Sequence, residues 1–221
     1  MKNIVSIVAG ILSFLVVYNL MTKKSDDEFK KEVKSEIGYG DVSKGKYTND
    51  YFGLTVKFPE NWYVQDNAAK KQMQKAAEEF VGENDKYKKM VELSDIRSLN
   101  LLTVMKHPLG KPVNFNPNFI CMAEKVSDVP QVKSGKDYIE ATKQNLKMAG
   151  IKIEFGKEYV TTVGGVKFDT VDLLMKQGPF PVDQTYYAAK IKDYALCFIL
   201  SFDSKEAKAE LDKILAGVNF K

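Results

Sequence analysis

The sequence of 221 residues is poor in the side chains that most often carry catalysis and metal binding. His107 is its single histidine, and Cys121 and Cys197 are its only cysteines. A Ser-His-Asp triad, a Cys-His pair or a zinc site would each have to use His107, and the two cysteines lack the paired spacing of metal ligands. We therefore interpret His107 as an ordinary surface residue and predict no catalytic residue, no metal site and no cofactor.

Motifs that bind phosphate or calcium are also missing. No glycine-rich phosphate loop and no D-x-D-x-D-G calcium loop is present. Asp169 and Asp172 differ in parity, so they point to opposite faces of one predicted strand, and Asp183 lies at a strand end. We interpret these carboxylates as solvated charges, which oppose aggregation at sheet edges, and we do not expect an enzyme.

Arginine is almost absent, since only Arg97 among the 33 basic residues is an arginine. Specific recognition of bases and phosphates relies on the bidentate guanidinium group. The lysines are scattered among carboxylates, and the formal net charge is only +4. This composition predicts a solvated surface and argues against a nucleic acid partner.

One long uncharged run is present, nineteen residues from Asn3 to Met21. About 20 mostly apolar helical residues cross a bilayer, so we interpret this run as a retained, single-pass membrane anchor. The side chains from Val16 to Met21 are bulky where a signal peptidase requires small ones, and no lipobox cysteine lies near its end. A cleaved signal peptide and a buried core helix are the alternatives.

Two indications about the side of the membrane oppose each other. The lysines after the run outnumber the basic groups before it, which by the positive-inside rule keeps the folded domain in the cytoplasm. Long domains can translocate regardless of flanking charge, and uncleaved N-terminal anchors of bacterial proteins usually export the domain attached to them. We favour an extracytoplasmic domain. The chain then divides into an anchor at 1–24, a charged juxtamembrane spacer at 25–46 and a folded domain at 47–221.

Hydrophobic periodicity in the folded domain predicts an α+β fold, with an antiparallel sheet and helices packed on it. Gly164-Gly165 predicts a hairpin turn. Capping boxes predict helix starts at Ser134 with Asp137 and at Asp203 with Glu206. The predicted strands are 54–58, 62–64, 98–107, 118–126, 152–163, 166–176, 183–192 and 194–202. The predicted helices are 66–82, 84–93, 134–150 and 203–218.

The stretch Tyr47–Trp62, YTNDYFGLTVKFPENW, resembles the opening of Mog1/PsbP-like domains. In that family an alternating strand runs into an (F/Y)P-x-x-W corner, here with Pro59 ending the strand. The resemblance covers about 47–220 and implies an αβα sandwich around a central antiparallel sheet, with Trp62 in the core. Members of the family share binding to a larger partner and no common catalytic apparatus, and no functional residue of the family maps onto this sequence.

Cys121 and Cys197 both lie in apolar, strand-like runs. Two buried free thiols that act as small hydrophobic side chains are one interpretation. A disulfide between Cys121 and Cys197 is the other, provided that the domain is exported and the two strands are neighbours.

Five aromatic residues flank loops rich in proline or asparagine and form a candidate interaction surface. Exposed aromatic side chains on loops are typical of interfaces, whereas packing in the core is the alternative. The five residues are Phe115, Phe119, Phe180, Tyr186 and Tyr187.

The sequence as a whole predicts a non-catalytic, membrane-anchored binding or assembly module that holds a protein partner near the bilayer. A protein that binds a small apolar or lipid ligand between sheet and helices is the alternative. The membrane itself would be contacted through Asn3 to Met21.

Overall fold

The structure, a computed structural model, describes residues 26–65, 98–148, 152–176 and 181–221. The helices in these ranges are α1 (Asp26–Ile37), α2 (Gly135–Met148) and α3 (Lys205–Ala216). The strands are β1 (Asp41–Ser43), β2 (Lys46–Asn49), β3 (Leu54–Lys57), β4 (Tyr63–Val64), β5 (Ser98–Met105), β6 (Asn118–Lys125), β7 (Ile153–Val163), β8 (Val166–Met175), β9 (Val182–Ile191), β10 (Tyr194–Phe202) and β11 (Val218–Phe220).

These strands form two sheets in which neighbouring strands are antiparallel. The larger sheet has the order β4-β5-β6-β10-β9-β8-β7, and the smaller has the order β1-β2-β3-β11. The predicted α+β architecture with an antiparallel sheet is therefore confirmed. The prediction of one central sheet missed the smaller sheet, because its strands have only three or four residues each.

Strand β10 lies between β6 and β9 and is covered on both faces. Its even-numbered residues from Tyr194 to Leu200 enter a first core, between the larger sheet, α1, α3 and the smaller sheet. Its odd-numbered residues from Ala195 to Ile199 enter a second core under α2. A strand buried on both faces needs a continuous apolar run instead of alternation, and the sequence YALCFIL supplies one.

The β7–β8 hairpin turns at Gly164 and Gly165, as predicted. Their φ angles of +56° and +87° suit a two-residue turn with positive φ at both central positions. The Pro59 corner is also present, with the Trp62 N–H donating to the Pro59 carbonyl at 3.0 Å and the Trp62 ring buried in the first core.

The interpretation of 25–46 as a juxtamembrane spacer is wrong for the described part of that segment. Helix α1 buries Phe29, Val33 and Ile37 in the first core, and β1 and the start of β2 come after it. These three side chains recur every four residues, so they form one apolar stripe along the helix. The folded unit therefore includes α1 and does not begin at Tyr47.

The C-terminal part differs from the prediction in two details. Ser204, and not Asp203, is the N-cap of α3, because its hydroxyl accepts a hydrogen bond from the Ala207 N–H at 3.2 Å. The helix ends at Ala216, and Val218 begins strand β11, which pairs with β3.

The predicted anchor from Asn3 to Met21 and the predicted helices at 66–82 and 84–93 lie outside the described residues. Among the helices that the structure describes, none combines the length and the apolar character that crossing a membrane requires.

Candidate functional site

The aromatic residues predicted as an interaction surface are buried wherever the structure describes them, so that prediction is wrong for four of the five. Phe119 and Tyr187 pack in the first core and Tyr186 in the second. Phe115 packs against Met175 and Val182. Phe119, Tyr186 and Tyr187 are buried because β6 and β9 are inner strands with covered faces, whereas Phe115 precedes β6. The fifth residue, at position 180, lies outside the described residues.

Cys121 and Cys197 are free thiols, and the disulfide alternative is wrong. In the antiparallel register of β6 and β10, Cys121 faces Phe198 and Cys197 faces Met122. The two side chains thus differ in parity and enter opposite cores. Burial raises the pKa of both thiols, so both stay protonated near neutral pH.

His107 lies half-buried beyond the end of β5. Its Nδ1 is 3.2 Å from the Lys111 Nζ. Burial lowers the pKa of His107, and the charges of Lys111 and Lys106 lower it further. This environment favours the neutral form of the His107 imidazole. No group of metal-ligating side chains occurs within the described ranges.

Asp172 and Asp183 line one shallow cleft of about 500 Å³ beside α3. Asp172 Oδ1 accepts hydrogen bonds from the Thr185 hydroxyl at 2.8 Å and the Tyr159 hydroxyl at 3.3 Å. Burial raises the pKa of Asp183, and the nearby charge of Asp172 raises it further. Asp169 lies on the opposite face of β8, as its parity predicted, so it does not join this pair.

A different region combines exposed apolar side chains with a fixed backbone. In the described ranges the exposed large hydrophobic residues are Tyr39, Val42, Met148 and Val160. Tyr39 is 41% exposed and Val42 is 46% exposed, and both come directly after α1. We call the region around them the end surface, formed by the end of α1, residues 38–42, the 50–53 turn, Lys192 and Lys221.

Buried Asn49 joins the end of α1 to the 50–53 turn. Its Nδ2 donates to the Ile37 carbonyl at 3.0 Å, which satisfies a carbonyl that the helix terminus leaves free. Its Oδ1 accepts from the Phe52 N–H at 3.2 Å, the usual role of asparagine in a turn. One side chain therefore fixes two loops of the end surface.

Tyr39 is held by the strand behind it. Its carbonyl accepts a hydrogen bond from the Tyr47 hydroxyl at 2.9 Å. The next residue, Gly40, has φ +71°, and a Cβ atom there would lie 2.3 Å from the Thr48 carbonyl oxygen. Only glycine fits this position, so the backbone beneath the Tyr39 ring approaches β2 closely.

Glu36 ties α1 to the larger sheet. Its Oε2 accepts from the Lys125 Nζ at 2.8 Å and from the Tyr194 hydroxyl at 2.7 Å, and Lys125 also contacts Glu32 at 3.1 Å. Burial alone would raise the pKa of Glu36, but the hydrogen bonds from Lys125 and Tyr194 outweigh it, so the pKa lies below its ordinary value. Glu36 is therefore ionised at neutral pH.

Three aromatic rings pack edge to face at the 50–53 turn. The centroid of the Tyr51 ring lies 4.9 Å from that of Phe52 and 5.5 Å from that of Tyr194. The Lys192 Nζ lies 4.1 Å from the Tyr51 centroid and donates to the Tyr51 carbonyl at 2.6 Å. Burial raises the pKa of Tyr51 to about 12, so its hydroxyl remains a donor to Glu36.

Two adjoining clefts, of about 540 Å³ and about 500 Å³, cross the end surface. They share the stretch 48–51. Main-chain groups, charged side chains and the Tyr51 ring line them, and no thiol or imidazole is among the lining residues. Such an arrangement suits binding of a polar and aromatic surface more than covalent chemistry.

Sequence reasoning missed the end surface because it assigned most of its residues to a spacer. A usable signal was present in the apolar spacing of Phe29, Val33 and Ile37, which predicts a helix packed on a core. Tyr39 and Val42 stay exposed because of the way distant segments pack around them, and no local sequence pattern predicts this.

No family model matches the sequence, and no curated protein matches it. Solved structures with some similarity include cyanobacterial PsbP (CyanoP) from Synechocystis sp. PCC 6803, at 12% identity and a TM-score of 0.49, over 82% of this chain and 96% of that one. LpqN, involved in cell envelope biogenesis of Mycobacterium tuberculosis, gives 9% identity and a TM-score of 0.43, over 75% of this chain and 82% of that one. A protein of unknown function from Pseudomonas aeruginosa gives 10% identity and a TM-score of 0.39, over 50% of this chain and 74% of that one. Because these TM-scores lie below 0.5, we do not assign the chain to a family from them. We describe the fold as α+β from its own strand order.

Proposed function

We propose that this chain is a non-catalytic, membrane-anchored binding module of the Mog1/PsbP-like type, which holds a protein partner near the bilayer. The anchor would be the uncharged run from Asn3 to Met21, and the folded domain would lie outside the cytoplasm. The end surface would carry the partner.

The packing of α1 against the domain is the observation that carries this proposal. Phe29, Val33 and Ile37 are buried, and Lys125 pairs with Glu36, so α1 is a fixed part of the domain. The helix begins at Asp26, five Cα–Cα steps after the end of the predicted anchor at Met21. Five extended steps reach at most about 18 Å. An anchor at this position would therefore keep the domain close to the bilayer.

The chemistry of the end surface supports a protein partner. Tyrosine is enriched at protein interfaces, where it combines apolar area with a hydrogen-bonding group. Tyr39 and Val42 are exposed, and the backbone that carries them is fixed by Asn49 and Gly40. A fixed surface loses little conformational entropy on binding, which favours affinity.

Co-purification from native membranes tests the proposal. The full chain, tagged at its C-terminus, is cross-linked in cells, solubilised and purified, and the captured proteins are identified by mass spectrometry. The Tyr39→Ala, Val42→Asp double variant removes the exposed apolar side chains of the end surface. Met148→Asp is the matched control, because Met148 is 66% exposed and lies at the end of α2 instead.

We expect a defined partner with the natural chain and with Met148→Asp, and its loss with the double variant. Recovery of the chain without any partner would contradict the binding function. Recovery of the same partner with the double variant would contradict the end surface as the binding site.

A further inference from the structure

Strand β7 is the outermost strand of the larger sheet and, among the described strands, pairs with β8 alone. It has eleven residues, whereas β4 at the opposite edge has two. An outer strand presents unpaired N–H and C=O groups that can pair with another chain. Natural proteins usually protect a long edge with charges, bulges or proline.

The first half of β7 has such protection. The register with β8 shifts between Phe155 and Glu158, which marks a bulge. The charged residues Glu154, Lys157 and Glu158 lie at or beside this bulge, and Glu158 forms an ion pair with Lys143 on α2. Another strand cannot pair regularly along this half.

The second half, Tyr159–Val163, lacks every one of these devices. The sequence YVTTV has no charge, glycine or proline and consists of aromatic and β-branched residues, which favour strands. Its register with β8 is regular, from Tyr159 opposite Thr170 to Val163 opposite Val166. Val160 is 62% exposed.

We propose that Tyr159–Val163 pairs with the same segment of a second copy of this chain, antiparallel and about a two-fold axis at Thr161. In this register Thr161 lies opposite Thr161 of the other copy. Val160 lies opposite Thr162 of that copy, and Tyr159 lies opposite its Val163. The two larger sheets then continue into one. The contact is isologous, so it closes as a dimer and does not extend into a fibre.

Pairing of the whole uncharged segment selects this register, and charge disfavours the registers whose axis lies nearer the N-terminus of β7. With the axis at Thr161, all five uncharged residues of each copy are paired, and Glu158 of each copy lies beyond the partner segment, at the Gly164 turn. Moving the axis to Val160 places Glu158 of one copy opposite Thr162 of the other, so a charged residue enters the paired segment. Moving it to Glu158 places two glutamates opposite each other, which is destabilising.

A cysteine at the axis tests the pairing directly. The full chain with Thr161→Cys is oxidised in detergent micelles and analysed on a non-reducing gel. Residues directly opposite in an antiparallel pair have Cα atoms about 4.5 or 5.5 Å apart, within the range of a disulfide. Cys121 and Cys197 are buried and free, so they do not cross-link copies.

We expect a covalent dimer with Thr161→Cys and only monomer with the control Val42→Cys, which places an exposed thiol on strand β1 at the edge of the smaller sheet. Equal dimer yields at the two positions would overturn the proposal, because random collision would then account for both. Absence of dimer at position 161 would overturn it as well.

Opposite charges give a second test that does not depend on oxidation. One full-chain variant carries Val160→Lys with Thr162→Lys, and another carries Val160→Glu with Thr162→Glu. Each alone places like charges opposite each other in the proposed register and is expected to be monomeric. An equimolar mixture is expected to form a heterodimer, measured by light scattering. Dimers of either variant alone, or a mixture that stays monomeric, would overturn the register. Neither test depends on a bound partner, so their failure leaves the proposed function untouched.

Discussion

The end surface and the edge of β7 both expose apolar side chains, but they differ in what fixes them. At the end surface, side-chain contacts from Asn49, Glu36 and Lys125 hold the backbone in place. At the β7 edge the main-chain pairing with β8 holds the strand, and the side chains of Val160 and Thr162 are exposed. The first region offers a preformed shape, and the second offers main-chain donors and acceptors.

This difference has a consequence for substitutions. Changes to the side chains that fix the end surface, such as Ile37, Asn49 and Glu36, should cost stability, because they remove contacts between distant segments. Changes at the β7 edge should leave folding almost unaffected and alter association alone. Urea unfolding of the full-length protein in detergent measures this contrast, through the fluorescence of Trp62, the single tryptophan, which lies in the first core.

The largest effect is expected from Ile37→Ala. Ile37 is buried at the end of α1, and removal of a buried isoleucine side chain typically costs about 2–5 kcal/mol. Lys31→Ala, at an exposed position of the same helix, is the control and should change the free energy of unfolding by less than about 0.5 kcal/mol. Equal and small effects of both variants would mean that α1 is not part of the folded unit.

Asn49→Ala should have the next largest effect. It leaves the Ile37 carbonyl and the Phe52 N–H without their side-chain partner, and such losses at buried groups cost about 1–3 kcal/mol. Thr48→Ala is the control, because Thr48 is half-buried on the same strand. A smaller loss for Asn49→Ala than for Thr48→Ala would refute the role of Asn49 as the link between α1 and the turn.

Glu36→Gln is expected to cost about 1 kcal/mol or less at pH 7, because the side chain is 31% exposed and solvent weakens its ion pair. The pKa of Glu36 in the folded state lies below its ordinary value of 4.5. The ionised Glu36 side chain therefore contributes its full stabilisation of the folded state above about pH 4.5. This stabilisation is lost as the pH falls through the lower folded-state pKa of Glu36. The difference between natural chain and variant should shrink as the pH falls below 4.5, and a constant difference from pH 7 to pH 3 would contradict this assignment.

The smallest effect on stability is expected from Val160→Lys and from Val42→Lys. Both valines are exposed, and surface substitutions of this kind usually change stability by no more than about 0.5 kcal/mol. The two variants should differ in self-association: Val160→Lys should weaken the dimer, and Val42→Lys should leave it unchanged. A loss of stability with Val160→Lys well above about 0.5 kcal/mol would show that the β7 edge takes part in folding, and the contrast between the two regions would fail.

Much of the C-terminal half could be predicted because its signals are local. Gly164-Gly165 specifies a turn, and the alternation around it specifies two strands. The apolar run at 194–202 is long enough to indicate a strand buried on both faces. The helix starts at 134 and 204 could be placed within one residue from their capping side chains.

The candidate site could not be predicted, because it depends on which segments meet. Cys121 and Cys197 enter opposite cores only because β6 and β10 pair in one particular register. Tyr186 and Tyr187 are buried because β9 is an inner strand, a property of the sheet order and not of the residues themselves. Helix α1 was overlooked because its three core residues are surrounded by charged side chains, a composition that also fits a solvated spacer.

Photo-cross-linking in native membranes tests the central claim, that the end surface holds a partner protein, most directly. A photoreactive amino acid is introduced at position 39, on the end surface, and in a separate chain at position 148, and both are irradiated in living cells. We predict a discrete, ultraviolet-dependent adduct of higher mass at position 39 and none of that mass at position 148. Adducts of equal mass and yield at both positions, or no adduct at position 39, would contradict the assignment of this surface to a partner.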